Sequence, residues 1–186
     1  MPSPVAHAVG GLAAAFFVDS VPRRQTLTVP ILVGSVALAV APDLDLLTGS
    51  HRAHTHSIGA VAIVGGICWL ILRRRSRNTA AASALIASYA SHLLLDWLSK
   101  DTRTPSGIPA LWPFTGQYYQ SPWTVFGETS RRYWLPEEFI LGNLRALGWE
   151  LAVLLPLLIV AWAHWSGRTL EANIEDRKSN TARVSR

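Results

Sequence analysis

Five apolar segments constrain the fold of this chain more than any other feature of the sequence. They run over residues 5–18, 27–40, 58–72, 80–98 and 147–165. A helix needs roughly 20 apolar residues to cross a hydrocarbon core about 30 Å thick, and the fourth and fifth segments approach that length. The first would span about 21 Å at about 1.5 Å per residue, so a re-entrant helix is an alternative there. The pattern predicts an all-α integral membrane protein with four to five transmembrane helices and a long outward loop.

The composition agrees with a membrane location and argues against other classes of protein. Hydrophobic residues make up 49% of the chain and charged residues 16%, and the eight Trp residues suit the aromatic belts at membrane–water interfaces. Cys68 is the single cysteine, so neither an intramolecular disulfide nor a thiolate zinc site can form. The net charge is +5, and most of the basic residues lie in clusters between apolar segments. We therefore expect the lipid bilayer as a partner and no nucleic acid.

The basic clusters also predict an orientation. Eleven of the seventeen Lys and Arg residues lie after the first segment, after the third and after the fifth. These regions share one side if every segment crosses, and the positive-inside rule places that side in the cytoplasm. The connections over residues 43–56 and 99–146 then face outward. We expect a multi-pass protein of the inner (cytoplasmic) membrane, whose outward side is periplasmic or extracellular.

Two regions of the chain are expected to differ in character. Residues 1–166 are predicted to form a membrane-embedded helical domain, and the polar, charged residues 167–186 a basic, disordered cytoplasmic tail. The outward connection over residues 99–146 is longer than ordinary connections. It contains several aromatic residues, Trp112 and Trp123 among them. We expect it to lie on the bilayer or to cap a site.

The unusual ionisable residues all fall at the outward face, although the orientation was drawn from Arg and Lys alone. They are His7, Asp43, Asp45, His51, His54, His56, His92, Asp96 and Glu150. His92 and Asp96 are four residues apart, which puts them on one helix face with Cβ atoms about 5–6 Å apart. Ionisable groups inside an apolar helix are costly and usually mark function. The convergence predicts a functional site at this face.

The residue types at this face favour a metal site. Imidazole and carboxylate together are ligands for zinc, manganese or iron rather than for calcium. The candidates outnumber the four ligands of one tetrahedral ion, so some could orient the histidines, or two ions could bind. We expect one or two divalent ions, with zinc first and manganese or iron as alternatives.

An ordered set of motifs extends this hypothesis. The run His51-Arg52-Ala53-His54-Thr55-His56-Ser57 resembles a His-Arg-Gly-x-Thr-His-Ser motif. His7 and Pro42-Asp43-Leu44-Asp45 precede it, and Ser91-His92-Leu93-Leu94-Leu95-Asp96 and Gly107-Ile108-Pro109-Ala110-Leu111-Trp112-Pro113 follow. In this order the motifs resemble the YdjM-like family of membrane-bound, metal-dependent hydrolases, also described as LexA-binding, inner-membrane-associated hydrolases. The resemblance covers about residues 4–114.

The resemblance implies a particular set of site residues. The metal ligands it implies are His7, Asp43, His51, His56, His92 and Asp96, with Asp45 also at a motif position. His54 falls on the variable position of the motif, and its role is left open together with that of Glu150. Ala53 replaces the glycine of the motif. If that glycine needs a positive φ, Ala would be strained at this position.

The function that these residues favour is metal-dependent hydrolysis at the outer membrane–water interface. A metal ion would lower the pKa of a bound water, which would attack an ester, phosphoester or amide. Asp45 or Asp96, if not a ligand, could act as general base, and Arg52 could bind an anionic group such as phosphate. The location in a Trp-rich belt favours an amphiphilic substrate, for example a phospholipid or a lipid-linked phosphate.

Other functions fit parts of the pattern. One alternative is a non-catalytic membrane protein with a structural metal or an ion pathway, and another is a scaffold whose polar cluster only fixes helix packing. A zinc protease of the His-Glu-x-x-His type is disfavoured because that motif is absent. A serine hydrolase using Ser57 beside His56 lacks the Gly-x-Ser-x-Gly element.

Overall fold

The described part of the chain is helical. The computed structural model describes residues 1–21, 26–48, 52, 54–75, 79–102, 104–130 and 133–184. Within them the α-helices are α1 (Pro4–Asp19), α2 (Val29–Val40), α3 (Ile58–Arg75), α4 (Thr79–Trp97) and α5 (Pro136–Val184). Two 3₁₀ helices, Ala41–Thr48 and His54–His56, lie between α2 and α3. These residues form isolated β-bridges but no strand, so the predicted all-α class is confirmed for them.

Two helical stretches within the described residues are long and apolar enough to cross a membrane. Val29–Leu46 combines α2 with the start of the first 3₁₀ helix over 18 residues, and Pro136–Ala172 covers 37 residues of α5. Helix α1 is apolar but shorter. A total of four to five transmembrane helices therefore stays a prediction.

Helix α1 is central to the packing, because it contacts α2, α4 and α5, while α3 packs against α4. Small residues allow this close approach. A Cβ atom added at Gly11 would lie 2.3 Å from the Cβ of Ala39, so α1 and α2 touch almost backbone to backbone. On another side of α1, Ser88 of α4 donates a hydrogen bond to the carbonyl of Gly11 at 2.9 Å. These contacts bring the N-terminal end of α1 beside the C-terminal ends of α2 and α4.

Buried carboxylates fasten α1 to α5 at both of its ends. At the N-terminal end, Glu150 accepts hydrogen bonds from the amide of Ser3 at 2.9 Å and from its hydroxyl at 2.5 Å. At the other end, Asp19 accepts from the indole N–H of Trp165 at 2.9 Å and from the amide of Thr26. The two helices therefore run in the same direction, in a register fixed at two points about four turns apart.

Helix α5 begins earlier than the fifth apolar segment predicted. It starts at Pro136, whereas residues up to 146 were expected to belong to the outward loop. Pro at the first turn suits a helix start, since its missing N–H would have no partner there. Glu137 and Glu138 follow and interact favourably with the positive end of the helix dipole. The sequence did contain a helix N-terminus at this point.

Helix α5 also continues through the predicted tail. The tail was expected to be disordered, but the structure shows helix through Val184. After Gly167 the sequence has no further Gly or Pro, and it contains good helix formers such as Leu170 and Glu171. High polarity alone was the wrong criterion here, because a polar segment can continue an existing helix without a new nucleation step. The division into a domain and a tail at residue 166 stays a prediction.

The connection between α4 and α5 folds back over the end of the bundle where the candidate residues lie. Ile108 and Tyr119 exchange two backbone hydrogen bonds, and the amide of Lys100 donates to the carbonyl of Phe126 at 2.9 Å. Phe126 is buried in a core cluster with Leu95 and residues of α1 and α5. This connection, called the outward loop after its predicted side, is therefore a folded cover, held by its own backbone pairing and by Phe126.

The packing of α1 against α2 gives a direct test. We expect Gly11→Ala to destabilise the protein by about 1–3 kcal/mol, because the new methyl group overpacks the contact with Ala39. Thermal unfolding of the detergent-purified protein would show this as a lower Tm. The matched control is Gly66→Ala, also in a helix, where an added Cβ meets nothing within 4 Å. That variant should keep or slightly raise Tm, and an equal response of the two variants would contradict the packing.

Candidate metal centre

Four elements of the fold converge on one cluster of ionisable side chains. Helix α1, the two 3₁₀ helices and α4 supply it, and its members are His7, Asp43, Asp45, His56, His92 and Asp96. Five of the six residues are buried, and Asp43 alone is partly exposed. The sequence placed all six at one face, and the structure brings them within contact distance. His51 was expected to join them but lies outside the described residues.

Asp96 lies at the centre of the cluster. Its Oδ2 is 3.2 Å from the Nε2 of His92 and 3.3 Å from the Nε2 of His56. Its Oδ1 is 3.5 Å from the Nε2 of His7. The rings of His7 and His92 stack, with centroids 3.7 Å apart. One carboxylate therefore faces three imidazoles from three different elements.

Asp43 closes the opposite side of the cluster. Its Oδ1 is 3.7 Å from the Nε2 atoms of both His56 and His92. Ligand atoms about 2.1 Å from a tetrahedral ion lie about 3.4 Å from one another. The separations of 3.2–3.7 Å within this cluster match that spacing and mostly exceed hydrogen-bond length. The donor atoms are arranged as ligands around a point rather than as mutual hydrogen-bond partners.

Several polar atoms in the cluster are buried without hydrogen-bond partners. Among the described residues these include both ring nitrogens of His7, the Nε2 of His92 and both carboxylate oxygens of Asp96. A buried polar atom without a partner costs about 1–3 kcal/mol. A bound cation would satisfy those of them that face the centre of the cluster, one ring nitrogen per histidine among them. Two overlapping groups have ligand atoms within 4.8 Å of one another: His7, His92 and Asp96, and Asp43, His56 and His92. The donor set fits a divalent metal ion.

The histidines are held so that particular nitrogens face the centre. The Nδ1 of His92 is 2.7 Å from the carbonyl oxygen of Ala39, which can only accept, so Nδ1 carries the proton and Nε2 presents its lone pair. The Nδ1 of His56 lies 3.4 Å from Asp45 Oδ2 and 3.0 Å from the hydroxyl of Thr55. That hydroxyl donates to Asp45 at 3.0 Å. Such partners fix the ring orientation of metal-binding histidines.

The environment of His56 also sets its charge in the metal-free state. Burial lowers the pKa of His56, but the neighbouring carboxylates of Asp43 and Asp45 outweigh burial and raise the pKa to about 9. The ring is therefore protonated at neutral pH when no ion is bound. An incoming ion must displace this proton, so metal binding at this residue releases a proton and strengthens with rising pH.

Arg52 is buried beside the cluster rather than directed into it. Its guanidinium pairs with Asp101 and donates to the carbonyl of Gly107 at 3.3 Å, while the amide of Gly107 donates to Asp101 at 2.9 Å. Arg52 has a φ of 63°, in the left-handed region. The positive φ thus occurs one residue before Ala53, which itself lies outside the described residues. Arg52 ties the segment with His54 and His56, here called the histidine loop, to the outward loop, and its binding of an anion stays a prediction.

The remaining candidates have other partners. The ring of His54 stacks on Trp112, with centroids 4.6 Å apart and planes 5° from parallel. Ser57 is a helix cap, since its hydroxyl accepts from the amide of Ala60 at 3.2 Å and donates to the carbonyl of His54 at 2.5 Å. This arrangement does not favour Ser57 as a nucleophile. Glu150 contributes the clamp on Ser3 and not a ligand atom.

Sequence reasoning missed three partners of the cluster. Thr55 could have been noticed, because it lies between two histidines in the motif and its hydroxyl can contact a ring nitrogen and a carboxylate at once. Asp101 carried a weaker signal, as an acidic residue soon after α4. The carbonyl of Ala39 carried none, because a backbone group that accepts a hydrogen bond leaves no trace in residue type.

These features define an all-helical protein of membrane type with a buried histidine–carboxylate cluster at one end of its helices. The chain matches the family described as YdjM inner membrane protein over residues 1–170, and it belongs to that family. It is similar to the inner membrane protein YbcI of Escherichia coli (strain K12), with 30% identity over 139 residues, covering 67% of this chain and 75% of that protein. No solved structure matches the chain. The family resemblance and the inner-membrane location are confirmed, and the names of these relatives state no activity.

The orientation of His56 by Asp45 can be tested without removing a ligand. We expect Asp45→Asn to lower zinc affinity about 10–100-fold, because the imidazole loses the negative charge of the partner that holds its orientation. Competition with a coloured chelator on the purified protein measures this. The matched control is Glu128→Gln, an exposed carboxylate that accepts from Thr102 at 2.6 Å in the outward loop. Equal zinc affinities for wild type and Asp45→Asn would show that Asp45 does not orient the ring.

Proposed function

We propose that this protein is a metal-dependent hydrolase of the inner membrane, acting at the outer membrane–water interface. Its substrate would be an ester, phosphoester or amide of an amphiphilic molecule. The observation that carries the proposal is the group of buried imidazole and carboxylate atoms at ligand spacing, several of them without hydrogen-bond partners. Zinc is the ion we expect first, with manganese and iron as alternatives.

The distances between the imidazole and carboxylate atoms indicate which residues would hold each ion. His56, His92, Asp43 and the Oδ2 of Asp96 would hold one ion. His7 faces Asp96 Oδ1 instead, so a second ion would share that carboxylate. His92 would serve the first ion alone, because its Nδ1 is engaged by a backbone carbonyl. His51 remains a proposed ligand on the grounds of family resemblance.

The side chains divide the work of a hydrolytic site. When bound, the metal would supply an activated water and polarise the scissile group. Asp43, with its side chain 15% exposed, is the most accessible carboxylate of the cluster and marks the route by which solvent and substrate enter. Asp45 lies against the Nδ1 of His56 and can hold a proton there. The general base that we propose is Asp45, or Asp96 if it is not a ligand, and Arg52 would contribute positive charge nearby.

Exposed apolar residues beside this entrance favour an amphiphilic substrate. Leu44 and Leu46 flank Asp45 on the first 3₁₀ helix, next to Asp43, and both are exposed. The outward loop presents Phe114 and Trp123, with exposed fractions of 84% and 82%. Large exposed apolar side chains around a polar site suit a membrane surface. A substrate with a hydrolysable head and an apolar part could satisfy both environments.

The topology belongs to the same proposal. Helix α3 runs from the histidine loop to Arg73–Arg75, so the cluster and this basic cluster lie at opposite ends of one helix. The positive-inside rule then directs the metal site outward, to the periplasmic or extracellular side. We propose four to five membrane-crossing helices within residues 1–166, and a basic cytoplasmic extension over residues 167–186.

A structural metal is the second candidate function, and one observation favours it. The donor atoms come from α1, α4 and both 3₁₀ helices, so a bound ion would cross-link four elements. Four protein ligands also complete a tetrahedral zinc shell, whereas catalytic zinc sites keep one position open. Loss of metal would then unfold the protein without any accompanying loss of a reaction.

Elemental analysis of the detergent-purified protein tests the metal centre. We expect about one or two zinc ions per chain in the wild type, and almost none in the His92→Ala, Asp96→Ala double variant, because the central donors are gone. The matched control is His164→Ala, an exposed histidine on α5 outside the cluster. Circular dichroism verifies folding, and His92→Gln with Asp96→Asn replaces the pair if the alanine variant unfolds. Absence of metal from the wild type after reconstitution with zinc and manganese would refute the centre.

The substrate class has its own test. We expect a long-chain lipid phosphoester to be hydrolysed at least about tenfold faster than its short-chain soluble analogue, since burial of a few CH₂ groups contributes about 0.8 kcal/mol each. Initial rates in mixed micelles at equal molar concentration measure this ratio. Equal rates would remove the amphiphile from the proposal, while metal-dependent turnover of either compound would keep the hydrolase.

A further inference from the structure

An apolar groove lies beside the histidine loop on the outer surface of α3. It has a volume of about 430 Å³. Its walls are Ile58, Gly59, Ala62 and Ile63 of α3 on one side, and residues 112–114 of the outward loop on the other. Every lining side chain is a hydrocarbon or an aromatic ring.

The groove is built by a close contact between the outward loop and the first turn of α3. The amide of Gly59 donates to the carbonyl of Trp112 at 3.0 Å, and the amide of Ile58 donates to that of Ala110 at 2.9 Å. A Cβ atom at Gly59 would lie 2.6 Å from the Trp112 ring, so only glycine lets the indole lie against the helix. His54 stacks on the same indole, two residues before His56. The wall of the groove therefore adjoins the proposed metal centre.

The surroundings of the groove indicate what occupies it. Along α3 the exposed Ile63, Ile67 and Leu70 form one apolar stripe that continues from the groove towards Arg73. In an inner membrane protein such a stripe is covered by lipid. The groove lies where this stripe meets the histidine loop. The protein surface therefore changes from polar to apolar along α3, as a lipid molecule does from its headgroup to its hydrocarbon chains. A peptide occupant would need partners for its backbone N–H and C=O groups, which an apolar lining does not offer.

We propose that the groove binds one hydrocarbon chain of a membrane lipid, whose headgroup then lies at the level of the metal centre. This makes the substrate of the proposed hydrolase a lipid with a long acyl chain, and that part rests on the proposed function. The chain-binding site itself needs neither the metal nor the reaction. Binding of the chain and turnover of the headgroup can therefore be measured separately.

Native mass spectrometry of the detergent-purified, delipidated protein tests the groove. The probes are phosphatidylglycerol with two oleoyl chains and phosphatidylglycerol with two hexanoyl chains. We expect one long-chain lipid per protein and little of the short-chain lipid. Ala62→Trp fills the groove and should lower the lipid-bound fraction about tenfold, which corresponds to losing the burial of about two CH₂ groups. Ile159→Trp, at an exposed position of α5, is the matched control and should bind as the wild type does.

The outcomes separate the two proposals. Equal lipid binding by wild type and Ala62→Trp, at equal Tm, would overturn the groove assignment. Equal retention of the long and short lipids would do the same. A dimer that Ala62→Trp dissociates would assign the groove to a second copy of the chain. The His92→Ala, Asp96→Ala variant should still bind the long-chain lipid, so a protein without hydrolase activity can keep the groove, and an active hydrolase can lack it.

Discussion

The structure depends on one buried carboxylate. Asp96 is inside the helix bundle, where an isolated charge would be costly, and its oxygens face imidazoles delivered by α1, by the second 3₁₀ helix and by α4 itself. The contact of Gly11 with Ala39 and the clamp of Ser3 on Glu150 both serve to bring α1 to this point. The helix packing and the site therefore share one requirement: the three imidazoles must all reach Asp96.

Much of this arrangement could be predicted, because it follows from segment length, charge distribution and helical periodicity. Apolar segment lengths predicted the helices, and the charge bias predicted which helix ends meet. The four-residue spacing of His92 and Asp96 then placed both on one face of α4. The different roles of the aspartates could not be predicted. Asp45 orients the imidazole ring of His56, whereas Asp96 faces three imidazole rings. That difference depends on side-chain directions in a 3₁₀ turn, which residue spacing does not specify.

The errors in the sequence analysis have physical causes too. Helix α5 was predicted too short at both ends because apolarity was used as the sign of helix, although Pro136 and the two glutamates after it form a helix start. The pairing of Arg52 with Asp101 was not predicted, because the two residues are 49 positions apart in sequence and no pattern connects them. Pairings across a long connection are set by tertiary structure, so sequence patterns within one segment cannot reveal them.

The two clamps between α1 and α5 have a mechanical consequence. The two helices are joined at two separate points, by hydrogen bonds of Ser3 to Glu150 and of Trp165 to Asp19. If α1 slid along α5 by one helical turn, about 5.4 Å, both sets of hydrogen bonds would break and His7 would move away from Asp96. A force that tilts the two helices moves them as a unit, without shifting one helix along the other. The distance between His7 and Asp96 is therefore kept when the two helices tilt together.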